Sequence, residues 1–248
     1  MHAPFLALGL SLALAAPLGA DGLTDMTKAE RAAFGEAVRS YLLENPDVVV
    51  EAMTILQNRQ ASAEAAKDDQ LVADNASLIF QDGVSWVGGN LDGDITVVEF
   101  MDYRCAYCKK AFAEVEELVK SDGNIRFVLK EFPILGEDSM TTSRFAIAVQ
   151  QLHGPDLYKS VHDLLMGLRG APDNATLSRM AIDLGLDPAP ILARMNTDEV
   201  TRVIAANHAL AQALAISGTP TFVMGEQMLR GYVPLDEMRQ IVSDERPG

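Results

Sequence analysis

Residues 95–110, ITVVEFMDYRCAYCKK, decide the fold of this chain. Residues 95–100 form a nearly continuous β-branched and apolar run, which predicts a buried strand. Two cysteines, Cys105 and Cys108, follow at the start of a helix that we expect to extend to about Lys120. A second strand is predicted at residues 124–129, so strand, helix and strand would form a parallel βαβ unit.

The rest of the main domain follows from turn residues and apolar periodicity. Residues 78–80 are a candidate short strand, and glycines at 88–89 indicate a turn. Residues 139–216 predict several helices. Two short strands, at 221–224 and 227–230, would then form a hairpin, and a last helix would begin near Pro234. The order predicts a small α/β fold that is interrupted by a helical block.

Composition narrows the possible functions. The chain has 248 residues, of which 48% are hydrophobic, so a globular fold with a sizeable core is expected. Its net charge of −15 disfavours binding to nucleic acid or to anionic lipid, because like charges repel. Cys105 and Cys108 are its only cysteines, which excludes a disulfide-stapled scaffold.

The first twenty residues are typical of a secretory signal peptide. They lack Lys, Arg, Asp and Glu, and an apolar core at residues 5–16 is followed by a small-residue exit that ends at Ala20. Cleavage there would give a mature chain that starts at Asp21. We therefore expect this protein in an oxidising compartment, the periplasm.

Residues 21–76 predict an N-terminal helical extension. Thr27 and Glu30 have the spacing of a capping box, and Asn45-Pro46 separates two helices. An apolar stripe runs through residues 34–56, and an Ala-rich polar segment follows it. The extension could fold back on the main domain, or it could self-associate through the stripe, and the sequence leaves both interpretations open.

The cysteine pair admits several kinds of chemistry. It could be half of a zinc site, part of a copper or zinc site shared between subunits, a structural disulfide or two inert thiols. Its placement favours redox catalysis. Residues three apart lie on one helix face, and a helix N-terminus favours the thiolate of Cys105, so Cys105 would attack and Cys108 would resolve.

A second feature precedes the predicted strand at 221–224. Proline cannot donate to a sheet ladder, so Pro220 belongs at the start of that strand. Beside a redox pair in this order of elements, we predict a cis Thr219–Pro220 bond that faces the cysteines.

Three segments together resemble one family. They are EFMDYRCAYCKK at residues 99–110, KEFPILG at residues 130–136 and GTPTF at residues 218–222. The chain from about residue 78 is similar to the DsbA family, and within it to the ScsC- and Com1-like branch. Residues 27–75 resemble the N-terminal extension of ScsC-like members. The resemblance implies a thioredoxin fold over residues 77–248, with a helical insertion at about 139–200.

The resemblance also implies roles for individual residues. Cys105 matches the nucleophile and Cys108 the resolving cysteine. Pro220 matches the cis-proline, and Thr219 is the tuning residue before it, whose backbone should pair with an extended substrate. No metal or organic cofactor is implied. The implied partners are secreted protein substrates and a membrane redox protein of the DsbB or DsbD/ScsB type.

Two charged residues complete the implied site. Glu99 matches a buried acid that handles the proton of Cys108, and Lys130 matches the ion-pair partner of Glu99. One departure concerns the dipeptide between the cysteines, which is Ala106-Tyr107 and not the Pro-His of strongly oxidising DsbA. Tyr107 lacks the charge of a histidine, so a weaker oxidant is expected, with isomerase or reductase activity open.

The function expected from sequence is periplasmic thiol:disulfide interchange. A non-catalytic holdase or copper-binding protein, which would use the same cysteine pair, is the alternative. An oligomeric envelope-structure protein with vestigial thiols is a third interpretation, and the intact Thr219-Pro220 element argues against it.

Overall fold

This computed structural model describes residues 26–246. The predicted signal peptide at residues 1–20 lies outside them. Within the described range, no helix combines the length and apolar character needed to cross a membrane. The chain divides into two compact units, one ending at Gln60 and the other beginning at Ala61.

Two long helices dominate the N-terminal region, α1 (Lys28–Glu44) and α2 (Asp47–Asp74). The predicted capping box is present: the Glu30 backbone N–H donates to Thr27 Oγ1 at 3.3 Å, and the Thr27 N–H donates to Glu30 Oε2 at 2.8 Å. No residue of α1 is buried. Large apolar side chains of the two helices are exposed, namely Phe34, Val38, Tyr41, Leu43, Val48, Val49, Val50, Met53, Ile55 and Leu56.

The second unit contains a five-stranded sheet. Its strands are β1 (Trp86–Gly89), β2 (Ile95–Met101), β3 (Ile125–Glu131), β4 (Thr221–Met224) and β5 (Gln227–Arg230), in the order β1-β3-β2-β4-β5. The β2–β3 pair is parallel, and every other pair is antiparallel. The predicted βαβ unit and C-terminal hairpin are therefore confirmed.

Helices cover the sheet on both faces. They are α3 (Ala76–Phe80), α4 (Ala106–Asp122), α5 (Glu137–His153), α6 (Pro155–Gly167), α7 (Asn174–Asp183), α8 (Pro188–Arg194), α9 (Asp198–Ala213) and α10 (Leu235–Glu245). Val97 and Met101 of β2 share a buried cluster with residues of α4 and α10. Val98 and Phe100 share another with α3 and the end of α9. Alternation along β2 thus assigns each of its residues to one of two cores.

The predicted strand at residues 78–80 is wrong, because these residues lie in α3, and the first strand is β1. A three-residue apolar run has no period that separates strand from helix. The glycine pair predicted as a turn belongs to β1 instead. A Cβ at Gly88 would collide with the Trp86 indole, so glycine here makes room for that ring.

Candidate functional site

A short turn between β2 and α4 carries the first cysteine. Asp102 is fully buried and accepts hydrogen bonds from three backbone N–H groups, those of Arg104 at 2.7 Å, Ile134 at 2.8 Å and Leu135 at 3.1 Å. One carboxylate therefore joins this turn to the loop after β3. The turn delivers Cys105 to the N-cap position of α4, in extended backbone conformation.

Cys105 caps the helix with its own sulfur. The Cys108 backbone N–H donates to Cys105 Sγ at 3.4 Å, as an N-cap side chain accepts from the first turn. Both cysteines are buried and both are free thiols. Both cysteines therefore lie at the N-terminal end of α4, where unpaired N–H groups and the helix dipole favour an anion.

The surroundings separate the acidities of the two thiols. A hydrogen bond from the Cys108 side chain lowers the pKa of Cys105 to about 5; burial opposes this, and backbone N–H groups of Cys108 and Tyr107 lower it further. The same hydrogen bond to Cys105, together with burial, raises the pKa of Cys108 far above its usual range. At neutral pH the pair therefore holds one thiolate and one thiol.

The loop before β4 lies against Cys105. The Thr219–Pro220 peptide bond is cis, as the sequence predicted. The Sγ of Cys105 lies 3.1 Å from the Thr219 carbonyl oxygen, to which the protonated form of the thiol donates. A small cleft of about 140 Å³ adjoins this loop, lined by residues 217–221 and by Arg230 and Gly231. Pro220, although distant from the cysteines in sequence, therefore lies in the loop that contacts Cys105.

Glu99 is buried in β2, with 3% of its surface exposed. Its alternation along the strand places it on the face of Val97 and Met101, which is the face covered by α4. Burial raises the pKa of Glu99 to about 8, and the charge of Cys105 adds to the effect. Oε1 of Glu99 has no hydrogen-bond partner among residues 26–246.

The predicted Glu99–Lys130 ion pair is wrong. Lys130 is opposite Phe100 in the parallel register, whereas Glu99 is opposite Leu129, so the two side chains leave opposite faces of the sheet. The fully buried Lys130 Nζ instead pairs with Asp82 Oδ2 at 2.6 Å and donates to the Leu78 carbonyl oxygen at 2.8 Å. Lys130 is therefore not beside the cysteines.

A buried polar cluster behind the turn was missed by the sequence analysis. Oε1 of Glu131 accepts hydrogen bonds from Tyr103 at 2.8 Å and from Tyr158 at 2.7 Å, and Tyr103 Oη lies 3.1 Å from His162 Nδ1. Burial raises the pKa of Glu131 to about 7 and lowers that of His162 to about 3. Tyr103 lies two residues before Cys105, which was the one local signal for this cluster.

The dipeptide between the cysteines faces outward. Ala106 is exposed, and Tyr107 has 61% of its surface accessible. The Tyr107 ring centroid lies 6.5 Å from that of Tyr232, and Lys110 Nζ is 3.8 Å from the Tyr232 centroid. The exposed surface next to the cysteine pair is therefore partly aromatic.

Among residues 26–246, no group of three or more His, Cys, Asp or Glu side chains is arranged to hold a metal ion. The His162 side chain is buried, and its Nδ1 lies 3.1 Å from the Tyr103 hydroxyl oxygen.

The sheet order, the helix-capping Cys105 and the adjacent cis Pro220 define the class: a thioredoxin-fold protein with a dithiol at a helix N-terminus. Residues 96–243 match the DSBA-like thioredoxin domain, and residues 30–63 match the copper resistance protein ScsC N-terminal domain. The chain therefore belongs to the family of DSBA-like thioredoxin domain proteins.

Individual relatives agree with this assignment. A thioredoxin-like oxidoreductase from Silicibacter pomeroyi DSS-3 is 40% identical, with a TM-score of 0.64 over 68% of this chain and 96% of its own. A periplasmic thioredoxin-like protein from Salmonella enterica serovar Typhimurium is 25% identical, with a TM-score of 0.62 over 68% of this chain and 94% of its own. The thiol:disulfide interchange protein DsbA of Bordetella parapertussis is 29% identical over 57% of this chain and 68% of its own.

Some curated relatives are much longer proteins. The match to the Na(+)/H(+) antiporter NhaA 1 of Salinispora arenicola is 28% identical over 65% of this chain but only 25% of the antiporter. This chain thus spans about a quarter of the length of the first curated relatives it matches.

Proposed function

We propose that this protein catalyses thiol–disulfide exchange on secreted polypeptides, with Cys105 as nucleophile and Cys108 as resolving cysteine. The observation that carries the proposal is the capping geometry of Cys105, whose sulfur receives hydrogen bonds from the helix it begins. A thiolate, not a thiol, attacks disulfides, and a pKa of about 5 keeps Cys105 ionised at neutral pH.

The cycle has two exchange steps. The Cys105 thiolate attacks one sulfur of a substrate disulfide, a mixed disulfide forms, and the other substrate sulfur leaves as a thiolate. Cys108 then loses its proton and attacks Cys105, which releases the second substrate sulfur. The substrate gains two electrons and two protons, and the protein ends with a Cys105–Cys108 disulfide. The reverse sequence donates that disulfide.

Release requires a proton acceptor for Cys108. We assign this role to Glu99, which is buried on the face of the sheet beneath α4 and whose charge contributes to the raised pKa of Cys108. With a pKa of about 8, Glu99 exchanges a proton near neutral pH. It is the one residue here proposed to move a proton inside the site.

The loop at Thr219–Pro220 would hold the substrate. Thr219 is only partly buried, and its carbonyl oxygen lies 3.1 Å from the Cys105 sulfur. Its backbone can pair with an extended peptide whose cysteine approaches Cys105, as in a short β-augmentation. Pro220 lacks a backbone N–H and therefore leaves that edge without a competing donor.

The dipeptide Ala106-Tyr107 supports a proposal for the direction of transfer. The exposed Tyr107 adds no positive charge beside Cys105, so the disulfide form should be a weaker oxidant than that of a DsbA with Pro-His. We therefore propose isomerase or reductase work, in the periplasm, with a membrane redox protein that restores the working state.

Residues 27–76 are proposed to make the protein a homo-oligomer. The exposed apolar side chains of α1 and α2 give the single chain a large unpartnered apolar surface. Several active sites on one particle raise the effective thiol concentration that a bound substrate meets, which is an advantage for an isomerase.

Insulin reduction and the recovery of scrambled ribonuclease test the proposal. The reduced protein should be active in at least one assay, and Cys105→Ser should abolish activity. Cys108→Ser should accumulate mixed disulfides with substrate, because attack by Cys105 remains and release is lost. Full activity of Cys105→Ser, or a wild-type protein without activity that still prevents aggregation or binds copper, would favour the non-catalytic alternative.

A further inference from the structure

A group of positive side chains surrounds the N-terminus of α4, on a protein whose net charge is −15. Arg104 lies in the turn before Cys105, Lys109 and Lys110 lie in the first turns of α4, and Arg169 lies in the loop between α6 and α7. We call these four residues the cationic rim. Four cationic side chains therefore lie around the start of α4, on a molecule that carries an excess of negative charge.

Two members of the rim converge on one loop. Arg104 Nη1 donates to the Gly170 carbonyl oxygen at 2.9 Å, and Lys109 Nζ donates to the Leu168 carbonyl oxygen. Burial lowers the pKa of Lys109, and the charges of Arg104 and Arg169 lower it further. Arg169 itself is exposed.

Few of the nearby carboxylates pair directly with the rim. Asp138 pairs with Arg104 at 3.4 Å, and within residues 26–246 it is the one carboxylate that forms an ion pair with a rim residue. Asp102 is occupied by three backbone N–H groups. Glu114 accepts from the Tyr232 hydroxyl at 2.7 Å and the Leu235 N–H at 2.8 Å.

Donors remain available on the rim. A lysine ammonium has three N–H donors and an arginine guanidinium has five, so the carbonyl contacts of Arg104 and Lys109 and the Arg104–Asp138 ion pair leave most of the rim's donors unused. Carboxylates are the natural partners of such donors, because charge-assisted hydrogen bonds are the stronger kind. An acidic segment that reached Cys105 would meet positive charge there, although the rest of the surface would repel it.

We infer that the cationic rim makes this protein selective for polypeptide disulfides whose cysteines are flanked by acidic residues. The inference rests on the proposed function and names its substrate class. The rim cations bind carboxylates of the peptide while the Cys105 thiolate attacks the peptide disulfide. One S–S bond forms and one breaks, and the leaving peptide thiolate takes a proton from solvent. Attack by Cys108 then returns the second peptide thiol and leaves a Cys105–Cys108 disulfide.

Three cyclic peptide disulfides test the inference, identical except for Asp, Gln or Lys on both sides of each cysteine. The reduced wild-type protein is mixed with each peptide at pH 7, and free peptide thiol is followed by chromatography. Flanking charge also changes the intrinsic reactivity of a disulfide, so each rate is divided by the rate of the same peptide with dithiothreitol. The Asp peptide should then react about tenfold faster than the Lys peptide at low salt.

The dependence on salt and two double variants test whether the charge of the rim causes this preference. The preference should fall to about twofold in 0.5 M NaCl, because the screening length there is only a few ångströms. Lys109→Gln/Arg169→Gln should lose most of it. The control Lys120→Gln/Arg239→Gln removes the same charge from two exposed residues and should keep it. Lys120 is eleven positions along α4 from Lys109, or about 16 Å, and Arg239 lies 3.7 Å from Glu117 of that helix.

The outcomes separate the inference from the proposed function. Equal normalised rates for the three peptides, or a preference that survives in Lys109→Gln/Arg169→Gln, would overturn the inference and leave the exchange activity standing. Failure of the wild-type protein to reduce any of the three peptides would overturn the proposed function, and the inference with it.

Discussion

At the residue scale, the donors around Cys105 determine how much thiolate exists at neutral pH. The Cys108 side chain makes the largest contribution, and backbone N–H groups of the first helical turn add to it. The thiolate of Cys105 in turn disfavours a second negative charge at Cys108 and at Glu99. Cys105, Cys108 and Glu99 are buried close together, so the ionisation of one makes the ionisation of the others less favourable.

Replacing Cys108 tests this coupling directly. Cys108→Ala removes the side-chain donor, so the pKa of Cys105 should rise from about 5 by at least about one unit. Cys108→Ser keeps a hydroxyl donor and should shift the pKa less. Thiolate absorbance at 240 nm, titrated in both single-cysteine variants, measures the two values. Equal midpoints for Ala and Ser would contradict the assigned role of the side-chain hydrogen bond.

Glu99 should make stability depend on pH. Its folded-state pKa of about 8 exceeds the ordinary value of 4.5, so the folded state binds an extra proton between these limits. Its contribution to stability is complete below pH 4.5 and is lost as the pH rises through 8. Glu99→Gln removes this loss, and at pH 9 it should be more stable than wild type by roughly 2–4 kcal/mol.

Urea unfolding of the reduced wild type and Glu99→Gln at pH 5, 7 and 9 measures the difference. Comparing the same redox form cancels the titration of Cys105, which has the opposite sign. A difference that does not grow with pH would show that Glu99 is not held protonated by burial.

At the element scale, the faces of β2 and β3 decide which charges meet. Glu99 and Lys130 lie on adjacent parallel strands, yet their register and alternation direct them into different cores. Lys130 joins β3 to the segment after α3 through Asp82. Glu131, one residue further along, joins β3 to α6 and to the turn before α4 through two tyrosine hydroxyls.

The Asp82–Lys130 pair should be a stability element. Lys130 is fully buried, so Asp82→Asn leaves an uncompensated buried ammonium and should cost about 3 kcal/mol. The double variant Asp82→Asn/Lys130→Met should be less destabilised than the sum of the single variants, because neither charge remains. Urea midpoints measure all three. Asp92→Asn, at an exposed position, is the control and should change little.

A loss below about 0.5 kcal/mol for Asp82→Asn, similar to that of an ordinary surface change, would contradict the role assigned to the pair. Cys105 reactivity should be preserved in these variants, since the pair lies on the sheet face away from α4.

At the scale of the whole molecule, the N-terminal helices α1 and α2 expose many large apolar side chains. None of α1 is buried in the single chain, and Met53 and Leu56 of α2 are 56% and 57% exposed. The end of α2 differs from these exposed positions, because Val72 is buried in the same apolar cluster as Ile79 of α3.

The extension should therefore control the oligomeric state. Light scattering should find an oligomer for the chain from Asp21 and a monomer for the chain from Ala61, a cut that keeps Val72 in place. Met53→Lys/Leu56→Lys should shift the intact protein towards monomer, because charges would be buried in the contact. Asn58→Lys/Ser62→Lys, which adds the same charges at two exposed positions of the same helix beyond the apolar stripe, is the matched control. A monomeric intact chain would remove the oligomer proposal.

The sequence by itself determined the features whose signals are local. The strand at β2, the cysteine spacing, the capping box at Thr27 and the position of Pro220 each depend on a few neighbouring residues, and all were predicted. Short apolar runs without a period were not, so residues 78–80 were misassigned. Only the tertiary structure decided that Lys130 meets Asp82, that Tyr103 meets Glu131 and that Arg169 approaches Lys109. These contacts join residues distant in the chain, and they depend on strand register and on the face from which each side chain leaves, which no local pattern specifies.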